Sequence, residues 1–139
     1  MPPTNLPRRD AMNPHKSKSG LARIWRALLY SRRGLRDAWR YEHAFRQELV
    51  LVLCLAPVIV FAPVSLSERA ALAASLLLVL IVELLNSAIE AAVDRVSLEV
   101  HELSGRAKDM GSAAVLLALV LAGLTWAAIL FPVARRMLS

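Results

Sequence analysis

Three apolar stretches constrain this chain more than any other feature. Residues 49–64 carry no charge, and 70–93 and 113–133 each reach the ~20 residues that a helix needs to cross a bilayer core. Pro57 and Pro63 fall in the first stretch, where Pro57 should kink a helix and Pro63 should end it. Apolar residues make up 57% of the 139, against roughly 45–50% in soluble chains. Lipid accounts for that excess better than a larger soluble core. The expected fold is an all-α membrane protein with three transmembrane helices.

The remainder divides in two. Residues 1–20 hold Pro2, Pro3, Pro7 and Pro14 among Arg8, Arg9, Lys16 and Lys18, with no apolar periodicity, and read as a disordered basic arm. No apolar run follows those charges closely, so the arm is not expected to be a signal peptide; a tether to anionic lipid is its functional alternative. Residues 21–139 form the membrane domain. At its start, Ile24, Leu28, Leu35, Ala38, Trp39 and Phe45 recur near helical spacing between seven arginines, Arg23 to Arg46. Residues 21–48 therefore read as an N-terminal amphipathic helix on the membrane surface, broken or bent at Gly34.

Charge sets the orientation. Eleven of the 17 Lys and Arg precede the first span, and Arg95, Arg106 and Lys108 lie in the polar connection 94–112. The positive-inside rule places the N-terminus and residues 94–112 in the cytoplasm, although Arg135 and Arg136 argue mildly against it. A net charge of +6 so distributed fits anionic headgroups, and no nucleic-acid partner is expected. The single cysteine, Cys54, excludes a disulfide framework and a multi-cysteine metal site.

The second span breaks the rule of its solvent. Glu83, Asn86, Glu90 and Asp94 lie at i, i+3, i+7 and i+11, which places them within roughly 80° of arc on a helix. An ionisable group at bilayer depth costs on the order of 3 kcal/mol, so aligned acids there mark function more often than packing. Glu42 and Glu48 sit at the interfacial end of the first span, and the 94–112 connection adds Glu99, His101, Glu102, Arg106, Lys108 and Asp109. Carboxylates without cysteine suit a hard cation such as Mg²⁺, and Lys108 and Arg106 suit phosphate oxygens. A carboxylate desolvated among aliphatic side chains becomes a stronger base, and Glu83 is the deepest acid. Phosphoryl transfer from a cytosolic nucleotide to a membrane-resident alcohol fits this combination. Neither G-x-x-x-x-G-K-[ST] nor G-x-G-x-x-G occurs; Gly105 to Ser112 has the wrong spacing for a P-loop and no following lysine.

The run Glu83-Leu-Leu-Asn-Ser-Ala-Ile-Glu90-Ala-Ala-Val-Asp94-Arg95, followed by His101-Glu-Leu-Ser-Gly-Arg-Ala-Lys108-Asp109-Met-Gly-Ser112, resembles the bacterial integral-membrane diacylglycerol kinase family. Tyr30 to Trp39 and Glu42 to Glu48 resemble its N-terminal motifs, and the likeness spans about residues 21–131. The resemblance implies a homotrimer of three-span protomers in the bacterial inner membrane, with active sites shared between subunits. It implies transfer of the ATP γ-phosphate to sn-1,2-diacylglycerol with Mg²⁺. By the same resemblance Glu83 is the catalytic base, and Glu42 and Glu90 bind metal and nucleotide. Arg23, Tyr30, Glu99, Val100, His101, Lys108 and Asp109 are implied nucleotide contacts. Implied lipid contacts are Arg23, Ala27, Leu28, Leu29, Tyr30, Ser31, Arg32, Arg36, Asp37, Ala38, Trp39, Glu48, Glu83, Ser112 and Trp126; Asn86 and Asp94 are supporting polar positions. Two alternatives stand beside this reading: an undecaprenol kinase of the same fold, and a non-enzymatic proton-relay oligomer.

Overall fold

The structure, a computed structural model, describes residues 20–96 and 101–139. Four helices account for nearly all of them, α1 (Gly20–Tyr41), α2 (His43–Phe61), α3 (Leu66–Val96) and α4 (Glu102–Leu138), and no strand occurs among the described residues. Helices α2, α3 and α4 are long and apolar enough to cross a membrane. The basic arm lies outside the described residues except for Gly20, which opens α1. The chain divides into two units, one ending at Arg36 and one running from Asp37 to Ser139.

Helix α1 shows the amphipathic pattern that its sequence predicts, with Ile24, Trp25, Leu28 and Leu35 exposed along it. The structure corrects two expectations here. Gly34 does not interrupt the helix, because a lone glycine costs only about 1 kcal/mol against alanine and its neighbours Arg32, Arg33, Leu35 and Arg36 favour helix. The helix also does not run on to residue 48. It stops at Tyr41, and extended backbone at Glu42 (φ −99°, ψ 114°) separates it from α2.

Arginine side chains close both ends of α2. Arg46 donates from Nη1 to the carbonyls of Trp39 (3.0 Å) and Arg40 (3.2 Å), the last turn of α1, and its Nη2 meets His43 Nδ1 at 2.8 Å. At the far end α2 stops at Phe61, just ahead of Pro63 as expected, while Pro57 is carried inside the helix. Arg69 of α3 then donates to the carbonyls of Ile59 (2.8 Å) and Ala62 (2.9 Å) and also to that of Val60. Carbonyls at a helix C-terminus have no partner within the helix, and in an apolar setting they must find one. A capping box starts α3: the Ser65 backbone N–H donates to Glu68 Oε2 (2.7 Å), and the Glu68 N–H donates to Ser65 Oγ (3.3 Å).

The core lies along one stripe of α3. Leu72, Leu76, Val79 and Glu83 are all buried, at spacings of four, three and four residues. The facing stripe of α4 is made of small residues, Gly111, Ala118 and Ala122, and Val79 packs with Ala118 and Ala122. Small side chains let helix backbones approach closely where lipid supplies no hydrophobic drive. Hydroxyls within the spans bond back to their own helix, Ser75 to the Leu72 carbonyl and Thr125 to that of Leu121, both at 2.8 Å.

A third correction concerns the second connection. The polar segment 94–112 is not a loop, because α3 continues to Val96 and α4 already begins at Glu102. At 1.5 Å per residue α3 and α4 extend about 46 and 55 Å, beyond a hydrocarbon core of about 30 Å. Arg106, Lys108, Asp109 and Ser112 therefore ride on the first turns of α4.

Arg69→Ala leaves the last carbonyls of α2 unpaired in a half-buried setting. The loss should be on the order of 1.5–3 kcal/mol, read by denaturant unfolding in detergent micelles. Unchanged stability would show that water or lipid satisfies those carbonyls instead.

Candidate functional site

The buried stripe of α3 changes chemistry partway along its length. Positions 72, 76, 79, 83, 86 and 90 follow one another by alternate steps of four and three, so they share a face. The first three are aliphatic and the last three are Glu83, Asn86 and Glu90. Glu83 is the most deeply buried of the acids, with 4% of its surface exposed; Asn86 and Glu90 are half-buried, and the Asp94 side chain is 54% exposed. Burial therefore falls away toward the C-terminal end of α3.

Neighbouring elements add two more carboxylates. Glu42 stands at the elbow between α1 and α2, and its side chain does not cap the helix that it begins. Glu48 lies almost two turns further along α2. The charges of Glu42 and Glu90 both act on Glu83, and that of Glu83 acts on Glu48. Four carboxylates gathered at the end of an apolar seam are a place for a compensating cation. Among the described residues no three His, Cys, Asp or Glu side chains form a metal cage by themselves. Mg²⁺ takes one or two protein carboxylates and completes its shell with phosphate and water. Glu42 and Glu90 supply oxygen donors of that kind, so the residues present fit the ion.

Hydrogen bonds order this end of the seam. Asn86 Nδ2 donates to Glu90 Oε1 at 3.1 Å, one turn along the helix. Lys108 Nζ pairs with Asp94 Oδ1 at 2.6 Å, linking the end of α3 to the start of α4. His101 is the N-cap of α4, its Nδ1 accepting from the Leu103 N–H at 3.2 Å. Asp109 and Ser112 are exposed on the same helix. Glu99 and Val100 lie outside the described residues.

Between α2, α3 and α4 lies a half-open cavity of about 250 Å³ walled by aliphatic residues including Leu51, Leu55, Leu76 and Leu119. Glu48 and Trp126 are its polar residues. Glu48 Oε2 and Trp126 Nε1 are both buried without a hydrogen-bond partner. A buried donor and a buried acceptor in one apolar cavity are a costly arrangement unless a ligand meets them. Of the other expected lipid contacts, Glu83 is on α3, Ser112 is on α4 and the rest are on α1: Arg23, Ala27 to Arg32 and Arg36 belong to the unit ending at Arg36 and are exposed, whereas Asp37, Ala38 and Trp39 belong to the second unit, with Ala38 buried.

Two residues at the site escape sequence reasoning. Arg46 ties off the elbow that carries Glu42, and a basic residue four positions after an interfacial acid is the only cue to it. Gly111 is buried against Asn86, and its cue is a small residue seven positions before Ala118, on the small face of α4.

Fold and site together define an all-helical, three-span membrane protein with a carboxylate-lined seam at one end. The model of the prokaryotic diacylglycerol kinase family matches residues 29–130, and the chain belongs to that family. It is 54% identical over 113 residues to the diacylglycerol kinase of Escherichia coli K12, covering 81% of this chain and 93% of that one. Identity to the diacylglycerol kinase of Pseudomonas aeruginosa is 56% over 118 residues, covering 85% and 96%. The diacylglycerol kinase of Helicobacter pylori strain 26695 is 42% identical over 113 residues, covering 81% and 88%.

The Asp94–Lys108 pair is half-exposed, so its worth to the fold is small. Asp94→Asn should leave the unfolding midpoint in micelles nearly unchanged. A marked fall would make the pair a structural tie.

Proposed function

We propose that this protein phosphorylates sn-1,2-diacylglycerol at the cytoplasmic face of a bacterial inner membrane, giving phosphatidate and ADP from ATP. The observation that carries the reading is the placement of Glu83. It ends the aliphatic part of the α3 stripe and begins the polar part, so an alcohol arriving from lipid and a phosphate arriving from water meet beside it. Membership in the prokaryotic diacylglycerol kinase family and the names of the relatives support the substrate class.

In this reading the Glu83 carboxylate accepts the proton of the glycerol hydroxyl as its oxygen bonds to the γ-phosphorus. The bond from that phosphorus to the bridging oxygen breaks, and ADP leaves with the electron pair. Glu42 and Glu90 would hold Mg²⁺, which would supply charge neutralisation during the transfer. Lys108, poised on Asp94, turns its ammonium to phosphate oxygens, and Arg23, Tyr30, Glu99, Val100, His101 and Asp109 complete the nucleotide contacts. Glu48 and Trp126 offer an acceptor and a donor to the glycerol end of the lipid, whose chains stay among the aliphatic walls. The working form is a homotrimer, with residues from neighbouring subunits completing each site. The N-terminus and residues 94–112 face the cytoplasm, where the excess of arginine and lysine holds them.

The test is phosphate transfer from Mg-ATP to dioleoylglycerol or to undecaprenol in mixed micelles. Transfer to dioleoylglycerol is expected, and Glu83→Gln should lower it by about 10²–10⁴-fold with the helical content and assembly unchanged. Retained activity removes Glu83 as the base, and transfer to undecaprenol alone replaces the substrate. Glu90→Gln should raise the Mg²⁺ concentration needed for half-maximal rate, and an unchanged metal dependence would remove Glu90 from the ion.

A further inference from the structure

At the polar end of the seam a glycine of α4 lies against α3. A Cβ built on Gly111 would overlap Asn86 Oδ1 and lie 3.3 Å from Asn86 Cγ, yet 3.9 Å from the Asn86 Cα. The backbones would tolerate that extra atom, whereas the amide would not. With no side chain at 111, the oxygen of the Asn86 amide lies against α4, buried and without a hydrogen-bond partner. The other end of the same amide donates from Nδ2 to Glu90 Oε1 at 3.1 Å. An amide is planar, so the position of the oxygen fixes that of the nitrogen. The contact at Gly111 therefore decides whether the donor points at Glu90.

An orphaned acceptor is a cost to the fold, and it is the kind of cost tolerated where the arrangement serves a site. Rotation of Asn86 away from Gly111 would expose Oδ1 to other partners and release Glu90. We propose that Gly111 is a positioning residue for the divalent cation: its missing side chain seats the Asn86 amide so that Nδ2 holds the Glu90 carboxylate in one orientation. The proposal rests on the reading of Glu90 as a metal acid. Carboxylates that bind metals are themselves held by hydrogen bonds, and loss of such a support commonly weakens metal affinity by about 10–100-fold.

The experiment is Mn²⁺ binding to the full-length protein in micelles, with a methylene analogue of ATP that cannot be hydrolysed, followed by the electron paramagnetic resonance of free Mn²⁺. Gly111→Ala should bind Mn²⁺ roughly 10-fold more weakly, and Asn86→Ala should show a similar loss. The double variant Asn86→Ala/Gly111→Ala should be no weaker than either, because without the amide the added methyl group displaces nothing. Wild-type affinity in Gly111→Ala overturns the proposal, as does a double variant in which the two losses multiply. Should Gly111→Ala not fold, recovery of folding in the double variant supports the contact, and continued failure overturns it. Glu90→Gln separates the two levels: unchanged Mn²⁺ binding there refutes the metal role of Glu90 itself, whereas weakened binding there with an unaffected Gly111→Ala refutes only the positioning role.

Discussion

The close contact of α3 with α4 is the constraint on which the rest of the structure depends. Lipid is as apolar as leucine, so burying Leu72, Leu76 and Val79 against another helix gains little from solvent exclusion. What holds the pair is dispersion between closely fitted surfaces, which requires one partner to be thin. Helix α4 meets that requirement with Gly111, Ala118 and Ala122 and keeps its larger residues for the membrane. The same thinness that packs the aliphatic turns also brings α4 against the polar turns, where it shapes the surroundings of Asn86. Packing and site share one helical face.

The polar end of that face explains the sequence of elements around it. Acids at the end of an apolar seam need both water and lipid within reach, so α3 and α4 outrun the hydrocarbon core and α2 does not. Glu42 can join the group only because α1 stops at Tyr41, and Arg46 stabilises that stop by taking up the carbonyls that it leaves. Asp94 and Lys108 link the end of α3 to the start of α4.

Much of this was legible in the chain. Composition and run length identify three spans, and the 3.5-residue recurrence of Glu83, Asn86 and Glu90 by itself places them on one face. The end of α2 ahead of Pro63 follows from proline chemistry. Gly34 misled, because a glycine weakens a helix by a small amount that flanking arginine and leucine recover. The segment 94–112 misled for a different reason: charge along a chain marks the membrane boundary, not the end of a helix, and α4 begins about three turns ahead of its apolar stretch at 113. The elbow at Glu42 was hidden because nothing in its local sequence, neither proline nor glycine, forbids helix there. Contacts between distant residues, such as Gly111 with Asn86 and Arg69 with the end of α2, depend on how the helices pack and leave no mark in local periodicity.

The lengths of the helices distribute mechanical stress unevenly. Helix α2 has 19 residues, about 28 Å, barely the depth of a bilayer core, whereas its neighbours have turns to spare. A thicker membrane is accommodated by α3 and α4 without change, so the mismatch is borne by α2, through local thinning of lipid or strain at its ends. Those ends are the Glu42 elbow and the Arg69 clamp. The shortest helix thus couples the thickness of the surrounding bilayer to the position of one of the clustered carboxylates.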